Sequence, residues 1–198
     1  MNFLAHLFLT QGNEDLTIGN FIADSVKSSE WGKFKQEVVK GIKIHHHIDE
    51  FTDKHPVVMR TKMKLREKHG KYSPVIGDIV YDHFLAKNFQ DYSQISLDDF
   101  AQNSYSLFRK RWGELPKPVQ HMTKYMEAGN WLFNYGNKEG LNSALSGMGR
   151  RASFKNKMHQ ATEDVFENYD SFKSDFVEFF PQLQGYVAEV INRVVDED

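Results

Sequence analysis

Apolar residues recur along this chain at the three- and four-residue spacing of helices, and no stretch sustains the alternation that a half-buried strand requires. Phe3, Leu4, Leu7 and Phe8 define one such face over about residues 2 to 10. Ile18, Phe21, Ile22 and Val26 define the next over about residues 17 to 26, with Asp24 set inside it. Ser96 followed three residues later by Asp99 reads as a capping-box start for a helix running toward Arg111. Residues 155 to 180 form one long amphipathic pattern that Pro181 is expected to stop. A last helix then covers about residues 182 to 195, before an acidic tail. The expectation is an all-α protein, and 198 residues suffice for a single domain spanning 1–198.

Composition narrows the function classes. Net charge is -2, so no global field draws the chain to nucleic acid or to a membrane, and neither is expected as a partner. The first ten residues are apolar but lack a basic leader, are too short to span a bilayer and contain His6, which predicts a buried helix. Cysteine is absent, which removes disulfides, thiolate ligands and thiol nucleophiles and suits a reducing cytoplasm. The 16 Phe, 8 Tyr and 3 Trp predict a well-filled interior, and the aromatic cluster from Trp131 to Tyr135 is read as core.

The most chemically loaded stretch is residues 41 to 53, GIKIHHHIDEFTD. On a helix, His45, Asp49 and Asp53 stand at i, i+4 and i+8 and line one stripe. One imidazole and two carboxylates on a stripe suit a divalent metal, although a triple His beside ordinary acids is also a common solvated face. A second acid–imidazole pair, Asp82-His83, lies among aliphatic neighbours, where a charge usually needs a partner. Residues 60 to 71 carry six Lys and Arg against one acid. That run is either a solvated helix face or a docking surface for an acidic partner.

Taken in order, Met1 to His6, Gly19-Asn20 with Ala23-Asp24, His45 through Asp49 to Asp53, Asp82-His83-Phe84-Leu85, and Gly147-Met148 with Arg151 resemble the acyl carrier protein phosphodiesterase family. That family is a divergent relative of the HD-domain metal phosphohydrolases, and the match covers most of the chain. Two departures stand out: His46 and His47 occupy positions where Arg is familiar, and Phe8 replaces a second His. The resemblance implies an all-helical, HD-like fold and hydrolysis dependent on a divalent metal, typically Mn²⁺, with Mg²⁺ the alternative. The substrate it implies is holo-acyl carrier protein, the acidic carrier of fatty acid biosynthesis, cleaved to the apo form and 4′-phosphopantetheine.

On that resemblance, His6, Asp24, His45, Asp49, Asp82 and His83 form the metal cluster and its immediate surroundings. They exceed what one ion can bind, so two metals bind or some of these residues only support the ligands. Asp53, Asp82 and His83 are the catalytic candidates, Arg151 is the candidate phosphate clamp, and Lys64 and Lys68 are candidates for contact with the acidic substrate. Two alternatives share these residues: an HD-type phosphohydrolase of nucleotides or other small phosphodiesters, and a non-enzymatic helical metal-binding protein.

Overall fold

A computed structural model describes residues 1–195; the acidic tail read at 196–198 lies outside them. Among the described residues every regular element is helical. The α-helices are α1 (Phe3–Leu9), α2 (Glu14–Ile22), α3 (Gln36–Lys54), α4 (Pro56–His69), α5 (Ser73–Lys87), α6 (Leu97–Lys110), α7 (Lys117–Ala128), α8 (Trp131–Asn134), α9 (Lys138–Arg151), α10 (Ala161–Glu167) and α11 (Tyr169–Val195). Short 3₁₀ turns join several of them. No helix among the described residues is long and apolar enough to cross a membrane.

Local chemistry sets the boundaries. Asn13 accepts the Leu16 N–H at 3.1 Å, and Glu14 and Asp15 suit the helix dipole, so α2 begins three residues earlier than its apolar spacing suggests. It ends at Ile22, which leaves Asp24 on a 3₁₀ turn and outside the helix. Pro56 opens α4 at its first turn, where a missing N–H costs nothing, and His55 Nδ1 accepts the Val57 N–H. Gly70 ends α4 with a φ of 54°, a conformation that favours glycine. Ser96 Oγ accepts the Asp99 N–H at 3.0 Å and starts α6 as expected.

The C-terminal third departs from expectation. The long pattern is broken near residues 152–157 and again at Asn168, and α11 then runs straight through Pro181. Proline there removes the bond to the Val177 carbonyl. Val177 is 49% exposed, so water can take the lost donor's place, and Gln182 Nε2 donates to the next carbonyl, Glu178 O, at 2.8 Å. The opposite face of α11 sinks Phe176, Phe179 and Phe180 completely into the core. The aromatic cluster of α8 is only partly core: Leu132 and Tyr135 are buried, whereas Phe133 is 41% exposed.

Helices α2 and α3 approach each other closely enough for their backbones to touch. A Cβ on Gly19 would stand 1.9 Å from the Val38 carbonyl oxygen, and one on Gly41 would stand 2.3 Å from that of Leu16. Two glycines facing each other let the backbones touch, and they bring the residues that follow them, Asn20 and His45, within reach. Gly19→Ala and Gly41→Ala are each expected to cost about 2–3 kcal/mol, lowering Tm by roughly 5–10 °C. The double variant should lose less than the sum, because helices spread by one methyl already accommodate the second. Thermal unfolding followed by circular dichroism checks both expectations.

Candidate metal centre

The site is built on α1, a seven-residue helix too short to stand alone. Its own N-cap, Asn2, makes no side-chain cap. Asp82 of α5 does that work from across the core: its carboxylate accepts the N–H groups of Leu4 at 2.7 Å, Asn2 at 3.2 Å and Ala5 at 3.3 Å. Complete burial pushes the Asp82 carboxyl up to about 7, against the pull of the Met1 ammonium and of these three donors. Asp78, one turn earlier on α5, lies 3.1 Å from that ammonium.

Held this way, α1 delivers His6 onto His45 of α3. The two imidazoles stack with centroids 4.2 Å apart. Asn20 lies between them and sets their tautomers. Its amide nitrogen donates to the His6 carbonyl at 2.9 Å, so Oδ1 faces the rings as an acceptor. That oxygen accepts from His6 Nδ1 at 2.8 Å and from His45 Nδ1 at 3.1 Å; the Asn20 backbone carbonyl also accepts from His45 Nδ1, at 2.9 Å. Both rings therefore carry a hydrogen on Nδ1 and turn Nε2 the other way.

On that other side stand the acids. His6 Nε2 lies 3.2 Å from Asp49, and His45 Nε2 lies 3.1 Å from Asp49 and 3.2 Å from Asp24. Two ring nitrogens and two carboxylates face one another, and every one is an acceptor unless a cation lies among them. Among the described residues, His6, His45 and Asp49 form a group of metal-capable side chains whose ligand atoms all lie within 4.8 Å of one another. Asn20 supplies the outer support that metal-binding imidazoles ordinarily have. The donor set therefore fits a divalent ion. Imidazoles form the buried floor, while the Asp49 side chain is 41% exposed and that of Asp24 82%, so the centre opens to solvent on its acidic side.

Without such an ion a proton substitutes. Burial alone would lower the His45 imidazolium, but the hydrogen bonds it donates to Asp24 and Asp49 outweigh it and raise its pKa to about 9. Burial prevails at His6, whose pKa is lowered despite the Asp49 contact. Burial would likewise raise Asp49, yet the two imidazoles hold it well below the usual carboxylate range.

The remaining candidates have other partners. Asp82 is occupied with the start of α1. His83 Nδ1 donates to the Tyr135 carbonyl at 2.7 Å, and its Nε2 accepts from the Tyr169 hydroxyl at 3.0 Å, which ties α5 to α8 and α11. Helical periodicity sends the three consecutive imidazoles apart: His46 stacks on Trp31 and His47 meets the Tyr186 hydroxyl at 3.2 Å. Asp53 is on the exposed surface, paired with Lys62 at 2.7 Å. Lys64 meets Asp175 at 2.7 Å, and Lys68 meets Asp164, so the basic run packs against acids of α10 and α11. Arg151 ends α9 beside a cavity of about 420 Å³ that Asn2, Phe3, Trp131 and Tyr135 also line. Asn20 is the residue that side-chain spacing did not single out, although it belongs to the Gly19-Asn20 motif.

The sign of the proton's effect on stability follows directly. A histidine whose folded pKa is raised stabilises the native state fully below its unfolded value near 6.5, and loses that contribution as pH rises through about 9. Metal-free protein is expected to lose about 2–3 kcal/mol between pH 6.5 and 9.5. His45→Gln should flatten that decline in urea unfolding across the same range.

A model of the family described as acyl carrier protein phosphodiesterase matches residues 1–183. A protein of Serratia proteamaculans named acyl carrier protein phosphodiesterase is 32% identical over 184 residues, covering 92% of this chain and 95% of that protein. One of the same name from Photorhabdus laumondii is 29% identical over 184 residues, covering 92% and 93%. Another from Escherichia coli is 29% identical over 188 residues, covering 92% and 95%. No solved structure matches the chain.

Proposed function

Because this chain belongs to the acyl carrier protein phosphodiesterase family, we propose that it hydrolyses the phosphodiester of holo-acyl carrier protein, releasing 4′-phosphopantetheine and leaving the carrier's serine hydroxyl free. The observation that carries the reading is the convergence of two Nδ1-anchored imidazoles and two carboxylates on one point that needs a cation. His6, His45 and Asp49 would hold the ion, with Asp24 at its open side, and Mn²⁺ or Mg²⁺ suits a set that mixes oxygen donors with imidazole. A bound ion of this kind supplies Lewis acidity toward a phosphoryl oxygen and lowers the pKa of water.

The chain's own groups account for the rest. Asn20 fixes which nitrogen each imidazole presents, and Asp82 fixes His6 by anchoring α1. Asp24, the most exposed acid at the centre, is positioned to take a proton from the attacking water. Arg151 lies beside the cavity with Met148 Sδ at 2.9 Å, its fork suited to a phosphate oxygen pair. We read His83 and Asp53 as supports: one locks α5 to α8 and α11, the other stands a turn beyond Asp49 on α3. Lys64 and Lys68 serve on this reading to clamp α4 to α10 and α11. Kinship with the HD-domain phosphohydrolases is part of the same reading and rests on motif order. A reducing cytoplasm suits the cysteine-free chain.

Incubation of holo-acyl carrier protein with the enzyme and Mn²⁺ is expected to remove the mass of phosphopantetheine, as read by intact-protein mass spectrometry. Asp49→Asn should lower that turnover at least 100-fold while keeping the helical spectrum. Intact carrier after exhaustive incubation with the wild-type enzyme would refute the reaction.

Metal binding is also expected to expel the His45 proton. Calorimetric titration with Mn²⁺ at pH 7, repeated in buffers of different ionisation enthalpy, should show close to one proton released. Affinity should rise with pH until about 9.

A further inference from the structure

Two groups of cations in this chain differ in their partners. Four of the five Lys and Arg residues of α4 are neutralised within the molecule: Arg60 by Asp175 and Glu178, Lys62 by Asp53, Lys64 by Asp175, and Lys68 by Asp164 and Glu167, which leaves Arg66 as the exception. A second set surrounds the end of α9 and the segment after it. Lys71, Arg150, Lys155 and Lys157 are exposed, and none has a carboxylate partner among the described residues. Phe154 lies between them, 65% exposed, with the Lys71 ammonium 3.4 Å from its ring centroid. The groove running beside it is lined by Arg150, Phe154, Lys155 and His159, and no acid lines it.

We propose that this Phe154-centred basic surface, and not the basic face of α4, is where the acidic carrier protein docks. The proposal rests on the reaction assigned above, because that reaction requires an acidic protein to bring its phosphodiester to the centre. Charge complementarity selects the surface: free cations can attract an anionic helix, whereas cations already paired at 2.6–2.7 Å would first have to give up their partners. An exposed aromatic ringed by cations also has the anatomy of an interface centre.

Position supports the same choice. Arg150 lines both this groove and the cavity of about 420 Å³, so the two adjoin. Asn2 and Phe3 at the start of α1 also line the cavity. Phe3 and His6 are three residues apart, on one face of that helix, about 5 Å along its axis. A carrier seated at Phe154 thus lies beside a cavity that reaches past Arg151 to the start of α1, the helix that carries His6. Glu139 is the one acid lining the cavity.

The test compares Lys155→Glu/Lys157→Glu with Lys173→Glu/Arg193→Glu. The second pair makes the same change of net charge on exposed residues of α11. Three readouts are used: turnover of holo-carrier, binding of fluorescent apo-carrier, and Mn²⁺-dependent hydrolysis of bis(p-nitrophenyl) phosphate. The Lys155/Lys157 variant should lose at least 10-fold in kcat/KM for holo-carrier and a similar factor in apo-carrier affinity at low salt. The gap to wild type should narrow as salt rises, and the small diester should be cleaved within twofold of the wild-type rate. Equal losses in both variants, or no loss in either, would overturn the proposal. So would tighter wild-type binding of a labelled oligonucleotide than of apo-carrier, which would make the patch a nucleic-acid surface. Wild-type enzyme that binds apo-carrier through this patch but releases no phosphopantetheine would instead refute the reaction while leaving the docking site in place.

Discussion

The amide of Asn20 is the contact on which the candidate centre depends, because it touches all three parts that must stay in register. Its oxygen accepts from both imidazoles, and its nitrogen donates to the His6 carbonyl near the end of α1. Fully buried and uncharged, it orients two rings without adding a third negative charge. A carboxylate there would leave the His6 carbonyl without that donor and would pull protons onto the rings that must present lone pairs. The amide can do this only because Gly19, its neighbour, lets α2 touch α3. Helix α1 is in turn a passenger: Asp82 satisfies its first N–H groups, and Asn20 and Thr10 satisfy a late carbonyl. With seven residues it has no independent stability, so its ends are where the rest of the fold places His6.

That construction ties charge to stability. Four potential ligands brought together in a partly buried site repel one another unless a cation is shared. In the metal-free protein His45 takes up that cation as a proton, at the expense of Asp24 and Asp49, which are both held in the ionised form. Replacing the proton by an ion satisfies the same acceptors with more charge. Folding and proton uptake are therefore linked, and binding of an ion at the candidate centre would join the same equilibrium.

What the sequence makes legible is what helical spacing encodes. The all-α class follows from periodicity, and the i, i+4 relation of His45 to Asp49 survives as a direct contact at 3.1 Å. His6 and Asp24 come through motif order, since nothing local marks either. Asp82 shows where such reasoning stops. An acid among aliphatic residues announces that it needs a partner but not which one, and here the partners are backbone N–H groups some 80 residues earlier. His83 is the same case, with a carbonyl and a phenol as partners. Helix ends depart from the apolar spacing where a side chain or solvent replaces a backbone bond, as at Asn13 and Pro181. The density of the basic run is visible in sequence, but its neutralisation is not, because the paired acids other than Asp53 lie about 100 residues away on α10 and α11.

Net charge therefore says little about this molecule's field. A value of -2 describes a chain whose cations on α4 are largely cancelled at short range and whose cations around Phe154 are not. Paired charges at these distances contribute almost no potential beyond a Debye length, whereas unpaired ones of like sign add. The unpaired cations at the end of α9 therefore carry a positive field in the region that shares a cavity with the start of α1. On the proposed reading, that field would attract the acidic groups of a carrier protein. The only strongly exposed acid at the centre is Asp24, and a divalent ion would offset its charge.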